Sequence, residues 1–411
     1  MKLTHKINIH KWLFTLIIVL IYIKLLFSYL MVELGWWLRH LESNYDTHNY
    51  LGLPKGFSGD IEYLLIPLLF AYIFLNLKYL GQFMRIVEVV FIFLFVNICT
   101  SLLTGETLYA SFQLTLKLVS PLLFFLVLII KHKKGQLDIA KIARRFLRLC
   151  IFLIIVALLF FNPSSNRGPQ EFLPIYFESI HTHSYILVCL FIMISYPLYV
   201  RKRYITLVTF FILTFLFLWY GYAVRTAIIV YLLYMLIVLY NMSAFFKYLW
   251  VKAIIYLPII ILLFNLFSKS FSLDDYSSGR LSMYSAKVDQ ISKFTPLEVL
   301  FGQGHGSDLI RTKFWAFGKK GSHSDVITYF VENGILFLLF YFYLLFILVW
   351  IRKKISLIYF FLIIGYFISS LVSNGITSRP LVGYMFFIAI AMVLFYQNPS
   401  ILINNDAKST S

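Results

Sequence analysis

Three kinds of residue in this 411-residue chain have types and spacings that can do chemistry. The first is a histidine, His323, in "GSHSD" before a long apolar run. The spacing predicts Ser322 as a helix N-cap, His323 in the first turn and Asp325 as the acid of a capping box. The positive end of a helix dipole favours a neutral imidazole that can accept a proton, while Asp325 pulls the other way. His181 and His183 open another apolar run, and their i, i+2 spacing splits them across a helix, poorly placed to share a metal. Glu332, further along the run that follows His323, shares a helical stripe with Asp325 and not with His323. The second kind is arginine beside predicted helix ends: Arg225 in "GYAVRTAIIV", Arg280 in "SSGRLSMY", Arg379 in "TSRP" and Arg167 in "SNRGP". A guanidinium forks onto phosphate oxygens, so these four form a candidate pyrophosphate-binding surface. The third is Lys117, deep in an apolar run. A charge there costs at least ~2.5–3.5 kcal/mol to insert, so it must face the bundle interior or water. Contact with a lipid phosphate competes with an internal ion pair or with snorkelling beside Pro121. Each histidine and arginine also has a plain reading, as a satisfied interfacial side chain or a headgroup contact.

The elements that must position these residues are membrane helices. The chain is 61% hydrophobic and 13% charged, with 43 Phe and 29 Tyr, and its mean hydropathy is +0.83. Many of its apolar runs reach the ~20 residues that span a bilayer as helix. The pattern predicts an all-α polytopic integral membrane protein of about twelve transmembrane helices. They fall near 12–32, 61–77, 86–103, 108–130, 147–162, 184–200, 204–220, 225–241, 249–268, 324–350, 355–372 and 380–396. The first run is too long for a signal peptide and is read as a retained helix. The whole chain, 1–411, reads as a single transmembrane domain, interrupted by one long external loop over 269–323, between helices nine and ten.

A net charge of +18 would suggest nucleic acid in a soluble protein, but its distribution argues otherwise. With both termini inside, the inner segments hold 21 of the 36 basic residues and two acids, Asp138 and Asp406. The outer segments are nearly balanced. This is the positive-inside pattern of a multi-pass protein, with the lipid bilayer as partner and no nucleic acid. Cys99, Cys150 and Cys189 lie in or beside apolar runs without metal or disulfide spacing, and the sequence implies neither metal nor cofactor. No internal repeat links the two halves, which counts against a transporter or flippase.

Within the long loop, Leu281, Tyr284, Val288 and Ile291 recur at near-helical spacing, with Lys287, Asp289 and Lys293 elsewhere. This predicts a short amphipathic helix ended by Thr295-Pro296. Gly302, Gly304 and Gly306 in "GQGHG" look like a nucleotide loop, but no strand–turn–helix unit surrounds them.

The order of these pieces resembles the O-antigen polymerase and ligase superfamily of bacterial envelope glycosyltransferases. The resemblance rests on Arg225 in a short outer turn, then "SSGRLSMYSAKV", "TPLEVLFGQGHGS" and "GSHSDVITYFVENG", over roughly 205–350. It implies a GT-C-like fold in the bacterial inner membrane, with both termini cytoplasmic and a periplasmic active site. The substrates it implies are undecaprenyl-pyrophosphate-linked glycans as donor and acceptor, without metal; a chain-length regulator protein is a further partner it allows. A polymerase moves the glycan onto the non-reducing end of a lipid-linked repeat unit; the sister ligase moves it onto lipid A core. The loop pattern favours the polymerase. Under either, Arg225 and Arg280, helped by Arg379, Arg167 or Lys117, neutralise the leaving pyrophosphate, and His323 acts as general base or positions the acceptor. The glycines then read as a flexible bend over the glycan. Serine in place of the family's frequent asparagine after His323 leaves any role of that amide open.

Overall fold

The computed structural model describes residues 9–39, 57–159, 177, 179–242, 280–312, 318–350 and 356–396, although a few side chains in this range are excluded. The expected helix at 249–268 lies outside them, as does Arg167. What is described is all-helical, with one isolated antiparallel bridge, Ile310 to Lys320, and no strands.

The helices are α1 (Ile9–Arg39), α2 (Phe57–Phe74), α3 (Met84–Thr104), α4 (Leu108–Lys133), α5 (Ile139–Leu159), α6 (Ile180–Val200), α7 (Tyr204–Leu216) and α8 (Arg225–Asn241). The loop carries α9 (Arg280–Ile291) and α10 (Pro296–Phe301), and the chain returns through α11 (Asp325–Trp350), α12 (Leu357–Val372) and α13 (Pro380–Phe395). Six helical segments among the described residues are long and apolar enough to cross a membrane: Ile9–Phe27, Gly81–Thr104, Leu108–Lys133, Ile180–Val200, Tyr204–Tyr222 and Asp325–Trp350. The protein is therefore a polytopic helical membrane protein in architecture.

α13 is buried from Pro380 to Phe395 on every side, and α4 is buried almost as completely from Leu114 onward. Their apolar residues go all round the helix, as they must in an element with no solvent face. α13 packs on α4, α6, α5 and α12; α4 also packs on α2 and α3; α11 joins α3 to α12, and α12 reaches α8. Gly383 makes the central crossing close, since a Cβ there would stand 2.6 Å from Pro121 Cγ of α4.

Two connections differ from expectation. The basic stretch 131–148 is mostly helix: α4 runs to Lys133, Gly135 turns the chain with φ +66°, and Asp138 Oδ1 accepts from the Lys141 amide to start α5. Arginine, leucine and alanine are good helix formers, so the positive charge did not break the helix. In the loop, Thr295 does not merely end a helix but begins one: its hydroxyl accepts from Glu298 N while Glu298 accepts from Thr295 N, a complete capping box for α10.

The face of α9 is also different. Val288 is 65% exposed, whereas Met283 and Lys287 are each only 1% exposed. Lys287 is buried because it is paired: its ammonium lies 3.0 Å from Asp308 Oδ1 and also donates to the Asp308 carbonyl. A local hydrophobic pattern cannot anticipate a charge satisfied from another segment.

Candidate functional site

One large cavity, about 890 Å³, opens at the end of the bundle where α2, α4, α11 and α13 begin. Its wall gathers Lys117 from α4, Arg379 before α13, Lys319, Lys320 and His323 from the loop, and Asp325 and Glu332 from α11. Lys24, Glu62, His305, Gly306 and Asp308 line it as well.

Lys24 and Glu62 are buried members of its wall. Their side chains are 2% and 4% exposed and lie 3.1 Å apart, so Lys24 is ion-paired and does not snorkel. The Tyr384 hydroxyl donates to Glu62 Oε2 at 2.5 Å and also contacts the Ser120 hydroxyl. Lys117 differs, being exposed where its α4 neighbours Leu116 and Leu118 are buried, and it makes no ion pair among the described residues. It faces the cavity, where a cation in an otherwise apolar helix can stay solvated.

The opening of α11 is not as the spacing predicts. His323 precedes the helix in the left-handed region, with φ +53°, and Ser324 is the cap, accepting from Ile327 N at 3.5 Å. Ser322 is taken by Asp308 instead: its amide and hydroxyl donate to Asp308 Oδ2 at 2.8 and 3.1 Å, and Thr328 Oγ1 donates to the same oxygen at 2.9 Å. His323 thus lies two residues before the helix and outside its first turn, which removes the dipole argument for its neutrality. A non-glycine residue in this backbone region costs of order 1–3 kcal/mol, held here by the bonds on either side of it. Asp325 is also no capping-box acid. Its Oδ2 accepts from Gly375 N at 2.9 Å and from the Thr377 hydroxyl, tying α11 to the α12–α13 turn.

The glycine stretch "GQGHG" is a strap rather than a flexible bend. α11 breaks at Gly334, with φ +79° and ψ −178°, freeing carbonyls of its first turns. Gln303 N donates to Val331 O at 2.9 Å and Gly304 N to Glu332 O at 3.1 Å, so the loop supplies the missing donors. The chains run so close that a Cβ on Gly302 would meet Glu332 C at 2.3 Å, and one on Gly334 would meet Leu300 O at 2.3 Å. A Cβ on Gly304 would meet the Glu106 carboxylate at 2.5 Å. His305 N then donates to Glu106 Oε2 at 2.8 Å, and Gly306 N to Glu332 Oε1 at 3.0 Å.

This strap delivers His305, which the sequence did not single out, to the cavity. Its Nδ1 is 3.6 Å from Glu332 Oε2, with side-chain exposures of 37% and 7%. The Glu332 carboxylate holds His305 above the usual histidine value, outweighing partial burial and the Lys117 charge, both of which oppose protonation. The only signal in the sequence was a histidine between two glycines; its carboxylate is 27 residues downstream and meets it only through the fold.

The remaining candidates are distributed as follows. Arg379 lines the cavity, but also ties α13 to α6, donating to Asn374 O at 3.0 Å and to the Ser179 and Thr182 hydroxyls at 3.2 and 2.9 Å. His183 is buried, 3.0 Å from the Tyr222 hydroxyl, and joins α6 to the π-turn Phe217–Tyr222. His181 is half-buried on the same turn of α6. Neither lines the cavity. Arg225 begins α8 with an exposed side chain and is not in the cavity wall. Arg280 begins α9, its side chain outside the described residues, as is Arg167. Among the described residues, no three His, Cys, Asp or Glu side chains are grouped to hold a metal ion. Searched by sequence and by structure, the chain matches no family model, no curated protein and no solved structure.

Proposed function

We propose that this protein is a membrane glycosyltransferase of the polysaccharide-polymerase kind. It moves a glycan from a polyprenyl-pyrophosphate carrier onto a hydroxyl of a second lipid-linked repeat unit. One observation carries the reading: a single cavity, about 890 Å³, sets Lys117, Lys319, Lys320 and Arg379 around the same space as His305, His323 and Glu332.

The chemistry asks for that combination. Pyrophosphate is a good leaving group once its charge is met, and several cations can meet it by electrostatics. An acceptor hydroxyl must lose a proton as it attacks, and an imidazole is the side chain suited to take it near neutral pH. The cations of the cavity take over the diphosphate from Arg225, which stands outside its wall, while Arg280, whose side chain lies outside the described residues, keeps its expected part in the proposal. About twelve spans with a GT-C-like core, in a bacterial inner membrane, belong to the same proposal. The basic residues support the orientation: Lys78, Lys131, Lys133, Lys134 and Arg201 to Arg203 occupy the helix ends opposite the cavity, as the positive-inside rule asks if the cavity faces away from the cytoplasm.

The test is reconstitution in vesicles with a lipid-linked repeat unit alone. A ladder of longer glycans is expected, and Lys117→Met should weaken donor use by roughly 10²-fold, the order of one electrostatic contact. In a parallel reaction that adds lipid A core, transfer only to that acceptor would move the assignment to the ligase, and no transfer to either acceptor would overturn it.

A further inference from the structure

Resting on that reading, we infer that His305 and Glu332 form the proton-transfer pair of the cavity, with His305 Nε2 taking the acceptor hydroxyl proton and Glu332 orienting the ring. The geometry is that of a base held by a carboxylate behind it. Nδ1 is the nitrogen turned to Glu332 Oε2, 3.6 Å away, which leaves Nε2 as the ring atom for the cavity that His305 lines. At that distance the carboxylate is a fixed negative charge beside Nδ1 that stabilises the imidazolium as it forms.

The pair is built rigidly, which separates it from a chance surface contact. The other Glu332 oxygen accepts from Gly306 N at 3.0 Å, so the carboxylate is fixed to the backbone beside the ring it serves. The His305 amide is fixed in turn by Glu106 Oε2 at 2.8 Å. Glu332 is 7% exposed and His305 37%, the inner group shielded and the outer one open to substrate. His323 also lines the cavity but stands before α11 on a left-handed backbone, without the helix dipole that would keep it neutral. It is assigned a positioning role toward the substrate.

In the step, the acceptor oxygen bonds to the anomeric carbon of the donor sugar as its proton passes to His305 Nε2. The bond from that carbon to the pyrophosphate oxygen breaks, and its electron pair leaves on the polyprenyl pyrophosphate. The charged groups that act on the ring are Glu332 on α11, Glu106 before α4 and Lys117 on α4, while Lys319 and Lys320 of the loop line the same cavity. Glu332 and Glu106 raise its basicity while partial burial and Lys117 reduce it, and Glu332 is the largest of these influences on the pH at which the ring accepts a proton.

The experiment uses the full chain in vesicles with a lipid-linked repeat unit, together with acylation of His305 by diethyl pyrocarbonate, read by peptide mass spectrometry across pH. His305→Gln should lower kcat by roughly 10²–10⁴-fold with little change in KM, as loss of a general base does. Glu332→Gln keeps the acceptor for Gly306 N and tests the pair without unseating the strap. It should move both the acid limb of the rate profile and the midpoint of His305 acylation to lower pH. A ladder formed by the wild type and equally by His305→Gln would overturn the proton-transfer role while leaving glycan transfer standing. An unmoved acylation midpoint in Glu332→Gln would overturn the pairing. Wild-type protein that transfers nothing would overturn the transfer reading and this role with it.

Discussion

Lys287 Nζ lies 3.0 Å from Asp308 Oδ1, and the two side chains are 1% and 5% exposed. This pair joins α9 to the loop, and Asp308 in turn holds Ser322 and Thr328 at the entrance of α11. The position of His323 and of the lysines beside it therefore depends on an ion pair whose cation lies 36 residues upstream of that histidine.

Lys287→Met should leave Asp308 buried without its cation, a change that typically costs 3–5 kcal/mol. The cost falls on the loop, where hydrogen exchange over 302–312 and 318–324 should accelerate by at least about a hundredfold. Exchange in α6 and α13 should not change. Equal acceleration throughout would show that the pair supports the whole bundle instead.

Gly302→Ala and Gly334→Ala should each unseat the strap from α11. Both have φ +79°, and each Cβ would meet backbone at 2.3 Å. Gly135→Ala is the control: its φ is +66° but nothing lies within 4 Å of the added carbon. It should cost only the ~1–2 kcal/mol of a left-handed backbone. Thermal unfolding followed by tryptophan fluorescence should rank the control well above the other two.

Lys24→Met should destabilise the bundle more than the double change Lys24→Met with Glu62→Gln. The single variant strands a carboxylate that is 4% exposed, while the double one removes both charges and keeps an acceptor for Tyr384. Breaking one side of a buried pair typically costs 3–5 kcal/mol, whereas replacing both is often close to neutral. Melting temperatures of the two variants in the same detergent check the order.

The strap should be pH-dependent. His305 has its proton affinity raised from an ordinary pKa of 6.5 by Glu332. A group whose folded pKa is raised adds stability that is fully present below the unfolded value and is lost as pH rises through the folded one. Protection of the Gly306 amide, corrected for intrinsic exchange, should therefore be greatest below pH 6.5 and decline above it. Glu332→Gln should flatten that dependence; a wild-type profile already flat would rule it out.

Much of the framework was legible. The predicted segments 204–220, 225–241, 324–350, 355–372 and 380–396 fall within a few residues of α7 with its π-turn, α8, α11, α12 and α13. The errors have local causes. The helix expected from 147 starts at Ile139, because Lys141, Arg144 and Arg145 read as a loop, although a basic helical turn at a membrane edge is stable. Ser322 has the right type for a cap, but Asp308 takes its hydroxyl and Ser324 caps instead. Val288 fits an apolar stripe, yet Lys287 is the residue that goes inside.

What the sequence by itself determined is where apolar runs are long enough to be helices and which ends carry the positive charge. Both are sums over neighbouring residues, since transfer out of water is proportional to the apolar surface along a segment. Only the tertiary structure decided which polar groups share the cavity. It brought Lys117, Arg379, His323, Asp325 and Glu332 together, left Arg225 on an exposed helix end, and added His305. A buried or half-buried charge is stable only with a specific partner in a specific direction. For His305 that partner is Glu332, set beside it by the break at Gly334 and by two glycines small enough to let the backbones meet.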